Sequence, residues 1–93
     1  MRYDKPIIEL MGYTLIKSLA EDIITPPMLF VSSIEHQLHI ITNIIESYHP
    51  QMIEDIYDVS KEVNFLDNND KEHRKIISDK LNAMLEEMRN LYR

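Results

Sequence analysis

Between residues 31 and 48, apolar side chains recur in alternating steps of three and four: Val31, Ile34, Leu38, Ile41, Ile45 and Tyr48. Such steps fall on one stripe of a 3.6-residue helix, whereas a strand sends alternate residues to opposite faces. Ser32, Glu35, His36, His39, Asn43 and Glu46 lie largely on the other side, which gives the segment one face for a core and one for water. Isoleucine is abundant in the run Ile40 to Ile45, but strand propensity is a weak constraint beside so long a helical stripe. The spacing returns as Met52, Ile56, Val59, Val63 and Leu66, and again as Ile77, Leu81, Met84, Met88 and Leu91. A first helix is marked less cleanly by Ile8, Met11, Leu15, Leu19 and Ile23, because Gly12 lies inside it. An interior glycine costs a helix about 0.5–1 kcal/mol relative to alanine, so residues around Gly12 are also compatible with an extended chain.

Proline punctuates these stretches at Pro6, at Pro26 and Pro27, and at Pro50. Each stands where it can open a helix, since its missing N–H is no loss in the first turn. A fourth boundary is the polar run Asp67-Asn68-Asn69-Asp70, where Asn69 with Glu72 has the spacing of a capping box. The predicted helices therefore span about 6–24, 27–48, 50–65 and 70–92. Short connections pack neighbouring helices antiparallel. The expected fold is all-α, one domain over residues 1–93, as a compact four-helix bundle. A helical-hairpin dimer competes, because Ile7, Leu10, Phe30, Ile44, Ile53 and Tyr57 form a second apolar stripe.

Composition narrows the function. A chain of 93 residues with no cysteine has no disulfide, no thiol nucleophile and no cysteine-based metal site. Its net charge of −6 and lack of a basic run argue against a grip on nucleic acid. A single glycine excludes a glycine-rich phosphate cradle. The longest apolar run, Met28 to Val31, is far too short for a membrane span. No targeting signal is evident, and a cytoplasmic location is expected.

Catalytic and metal-binding patterns are sparse. His36 and His39 share a helix face but need further ligands to close a metal site. Glu46 with His49, and Asp70 with His73, copy the carboxylate–histidine spacing of di-iron bundles, yet both stand at helix ends. No serine lies in a nucleophile elbow. These observations predict a protein that is not an enzyme and uses no metal or cofactor. Residues 51–67 carry Glu54, Asp55, Asp58, Glu62 and Asp67 against Lys61. Asp55, Asp58 and Glu62 share a helix face next to Tyr57, which would suit a partner with a basic surface or simply be solvated. The last helix opens with Lys71, Arg74 and Lys75 and ends near Glu86 and Glu87. That order opposes the helix dipole and would make sense if the helix lay against an acidic surface.

Two stretches resemble known families. Residues Tyr3-Asp4-Lys5-Pro6-Ile7-Ile8-Glu9-Leu10-Met11-Gly12 resemble the leader of lasso-type ribosomal peptide precursors, which reads Tyr-x-x-Pro-x-Leu-x-x-x-Gly and usually has a threonine six residues on. Ile8 stands for the leucine and Ser18 for the threonine. The resemblance implies that Tyr3, Pro6 and Ile8 dock on a recognition domain by strand addition. Residues 50–92 are faintly similar to the helical-hairpin aspartyl-phosphate phosphatases of sporulating bacteria. There Ser78-Asp79-Lys80-Leu81-Asn82 aligns with a Ser-Gln-Glu-Leu-Asp signature, and Asn82 replaces its acid.

Taken together, the residues predict a small acidic helical protein that binds and regulates a partner protein. The alternatives are a leader-bearing precursor or carrier in a peptide-modification pathway, and a phosphatase-like regulator of a response regulator. The candidate partner-binding residues are Tyr3, Pro6, Ile8, Phe30, Ile44, Ile53, Asp55, Tyr57, Asp58 and Glu62. A symmetric homodimer is expected, because Phe30, Ile44, Ile53 and Tyr57 exposed together would form an unusually large apolar patch.

Overall fold

A computed structural model describes the backbone of residues 4–91 and the side chains of residues 10–90. Four α-helices run up and down: α1 over Asp4–Ile24, α2 over Val31–Tyr48, α3 over Ile53–Asn64 and α4 over Lys71–Leu91. A single 3-10 turn, Pro50–Met52, leads into α3. Helix α1 packs on α2 and α4, and α3 closes the ring between α2 and α4. This is the expected all-α four-helix bundle, 43 × 21 × 21 Å. One end carries the α1–α2 linker and the α3–α4 loop; it is called the loop end below.

In α2, α3 and α4 the core follows the stripes read in the sequence, except that Val31 and Tyr48 are half-buried and Leu85, in no stripe, is buried. Ile34, Leu38, Ile41 and Ile45 of α2 are buried, with Met52, Ile56, Val59, Val63 and Leu66 from the third segment. Ile77, Leu81, Met84 and Met88 of α4 complete it. Leu91 lies outside the described side chains.

Helix α1 departs from expectation in two ways. It continues unbroken through Gly12, and its buried face is Ile16, Leu19, Ala20 and Ile23 rather than one led by Met11, which is half exposed. A Cβ built on Gly12 would lie 3.0 Å from Cγ2 of Ile44. The glycine thus admits α2 close to α1, and residues 12, 16, 19 and 23 are the face this contact selects. Apolar residues occur nearly all round α1, so its spacing alone left more than one face eligible.

Helix boundaries differ from expectation where side chains redirect the backbone. Helix α2 begins at Val31, not at Pro27, with Phe30 extended and its carbonyl accepting from the Ser33 and Ile34 N–H groups. The N–H of Val31 donates to Oδ1 of Asn68 at 2.8 Å, so the α3–α4 loop helps to cap α2. Helix α4 is capped by Asp70 rather than Asn69: the His73 N–H donates to Asp70 Oδ1 at 3.0 Å. Asp67 holds the Asn69 N–H at 3.1 Å, an Asx turn that moves the cap one residue on. His49 stands just before Pro50 and turns out of the α region with φ −137°, as a residue before proline tends to do.

Candidate protein-binding face

The carboxylates expected to form an open acidic face are turned toward α4. Asp58 accepts from Nζ of Lys80 at 2.6 Å, and Glu62 stands 3.5 Å from Nε2 of His73. Opposite Asp55 is Glu87, whose carboxyl titrates above its ordinary range because of partial desolvation, with the Asp55 carboxylate adding to the effect. Lys80 is held above its usual range by its bond to Asp58. Lys80 and His73 thus face the acidic side of α3, but the residues that make the inverted charge order do not: Arg74 is buried and bonded to carbonyls, and Glu87 stands against an acid. Tyr57 turns away from this seam and donates its hydroxyl to Oε1 of Glu46 on α2 at 3.0 Å.

The four apolar candidates are not all exposed: Phe30 and Tyr57 are, whereas Ile44 and Ile53 are half-buried. Ile53 is half-buried and packed on the core, and half-buried Ile44 covers Gly12. Both lie toward the end opposite the loop end. Phe30 precedes the first residue of α2, about 20 Å along the axis from Ile44 at 1.5 Å per residue. Tyr3 and the side chains of Pro6 and Ile8 lie outside the described residues. The backbone of residues 4–24 is helical, including positions 6 and 8.

At the loop end the two phenylalanines of the chain come to the same region. Phe30 is 70% exposed at the start of α2, and Phe65 is 83% exposed at the end of α3. They are the two most exposed large apolar side chains among the described residues. Beside Phe30 opens a cleft of about 370 Å³, lined by Pro26, Met28, Phe30, Asn68, Asn69, Lys71 and Arg74.

Arg74 is the residue that organises this end. It is only 2% exposed, and its guanidinium donates to three main-chain carbonyls. These are Asn68 through Nε at 3.1 Å, Ile23 through Nη1 at 3.1 Å and Leu29 through Nη2 at 2.7 Å. Cationic donors at the last carbonyls of a helix satisfy orphan acceptors and suit the dipole, and here α4 supplies that service to α1. One turn on, buried Ser78 donates to the Ala20 carbonyl at 2.7 Å. Sequence reading grouped Arg74 with Lys71 and Lys75 as the basic start of the last helix, suited to an acidic neighbour rather than to carbonyls. The available signal was register: Arg74 sits three residues before Ile77 and seven before Leu81, so the α4 stripe extended backward passes through it.

His36 and His39 are exposed on α2, and no cluster of three metal-ligating side chains occurs among the described residues. His39 and Ser60 line a shallow groove between α2 and α3, with no hydrogen bond between them. No helix among the described residues is long and apolar enough to cross a membrane. Comparison with protein-family models finds no match to this chain, and comparison with curated proteins and with solved structures likewise finds none.

Proposed function

We propose that this chain is a small non-enzymatic adaptor that docks on a partner protein through its loop end and regulates it. The observation that carries the reading is the shared location and high exposure of Phe30 and Phe65. Exposed aromatic rings bring large contact area with few rotatable bonds, and such rings dominate binding energy where a partner desolvates them. The scaffold behind them is rigid: Arg74 and Asn68 tie the α1–α2 linker to the α3–α4 loop. Because both rings face solvent, replacing them leaves the core untouched.

A pull-down from the native host, comparing the wild-type chain with the double variant Phe30→Ala, Phe65→Ala, tests the proposal. The expected result is a specific partner whose recovery falls at least about tenfold with the double variant, the equivalent of one lost anchor. Undiminished recovery with that variant, or the absence of any specific partner, overturns it.

A further inference from the structure

Buried charges in proteins are normally paired with an opposite charge. Arg74 is not: none of the ion pairs among the described residues involves it. Its three bonds all go to neutral carbonyls. Each of its three nitrogens has a carbonyl partner, so its bonds are satisfied while its charge is not matched by an anion. The side chain forms part of the wall of the loop-end cleft, whose cavity of about 370 Å³ is in the range of small-group binding sites. Exposed Lys71 adds a second cation to the same wall, while Phe30 and Met28 supply apolar surface.

No carboxylate lines this cleft; Glu72, next to Lys71, is exposed on the first turn of α4, and the two acids of the preceding loop are engaged there. Asp67 holds the Asn69 N–H, and Asp70 holds the His73 N–H. The first turn of α2, which begins beside the cleft, contains no acidic residue to offset the positive end of its dipole. In a chain of net charge −6, this is a place where two cations, a helix start without an acidic residue and an exposed aromatic ring converge.

We propose that the loop-end cleft receives a carboxylate side chain carried on an apolar segment of the partner protein, with Arg74 and Lys71 taking the charge and Phe30 and Met28 the flanking apolar groups. The inference rests on the partner-binding role proposed above and names the chemistry that the partner presents.

The full chain is titrated with the N-acetylated, C-amidated peptide Leu-Glu-Leu, with its Leu-Gln-Leu counterpart and with sodium acetate, following the Lys71 amide, the Arg74 Nε–H and the Phe30 ring by NMR. The acidic peptide is expected to shift all three signals, with the neutral counterpart needing at least about tenfold more. Lys71→Glu is expected to weaken the response by about tenfold or more. An acidic residue in the first turn favours a helix, so that loss is not a failure to fold. Equal response to the two peptides, equal response to acetate alone, or no response at about 10 mM overturns the inference. In the pull-down, partner capture that depends on Phe30 and Phe65 but is unchanged by Lys71→Glu overturns this inference while leaving the adaptor role standing. Capture that ignores the phenylalanines overturns the adaptor role itself.

Discussion

Three carbonyls from three separate stretches of chain converge on Arg74, and each is left without that donor if the guanidinium is removed. An orphaned buried carbonyl costs about 1–3 kcal/mol, partly recovered where water can enter. Arg74→Ala is therefore expected to destabilise the fold by about 2–4 kcal/mol, which for a domain of this size lowers Tm by on the order of 10–20 °C. Arg74→Lys keeps the charge but lacks the planar fork that reaches several acceptors at once, and its Tm should fall between those of the alanine variant and the wild type. Thermal unfolding followed by circular dichroism reads both. A Tm for Arg74→Ala within about 2 °C of wild type would contradict the role given to these bonds. The same residue shows where sequence reading reached its limit. Arginine is read as a surface residue by default, and only its place in the register of Ile77 and Leu81 pointed inward. Asp70 over Asn69 as the cap was undecidable for a different reason, since both residue types cap helices well and the competing Asx turn at Asp67 forms only with the loop in place.

At the scale of elements, α2, α3 and α4 were legible because each has one apolar stripe and a polar remainder. Helix α1 was not, because apolar residues surround it and the deciding contact, Gly12 against Ile44, belongs to the packing of two helices. That contact makes a coupled prediction. Alanine in place of a mid-helix glycine gains about 1 kcal/mol from propensity. Here its Cβ would meet a methyl of a β-branched side chain that is stiff at χ1, and the gain is expected to vanish or reverse. In the Ile44→Ala background the methyl is gone, and Gly12→Ala should recover a gain of about 1 kcal/mol. A double-mutant cycle in urea measures the difference, and strict additivity would contradict close approach of the two helices. The α3–α4 seam makes a pH prediction. A carboxyl whose folded pKa is raised binds its proton more readily in the native state than in the unfolded one. At Glu87 this means that stability falls as pH rises from the ordinary carboxylate range through the folded pKa. Glu87→Gln should therefore raise Tm slightly at neutral pH and have no such effect near pH 3, where the unfolded carboxyl is also protonated. The gain is small because Glu87 is exposed and solvent screens it. An equal Tm difference at both pH values would show that the Asp55–Glu87 contact has no electrostatic cost.

For the whole molecule, the exposed apolar residues stand both at the loop end, where Ile24 joins the phenylalanines, and along the helices, at Ile40, Tyr57 and Ile76 among others. Phe30 and Phe65 occupy the loop end, whereas Leu10 and Met11 border a shallow depression on α1 with Thr14 and Leu15. A stable dimer needs about 800 Å² of well-matched surface on each partner. Sedimentation of the free protein at micromolar concentration is expected to give a mass near 11.1 kDa. Twice that mass would return a second copy to the list of occupants for the exposed side chains. The Arg74 cluster also bears on the order in which the fold is assembled. Its bonds join residues 51 and 45 positions apart, so they cannot close until both ends of the chain have been brought together and the loop entropy of doing so has been met. The expectation is that they form after the rate-limiting step, so that weakening them leaves the climb to the transition state nearly unchanged. In stopped-flow measurements Arg74→Ala should therefore refold at close to the wild-type rate and unfold faster by roughly tens- to hundreds-fold. A refolding rate that falls as much as the unfolding rate rises would instead place the Arg74 bonds in the transition state, so this one variant reads whether the loop end governs how long the native state survives.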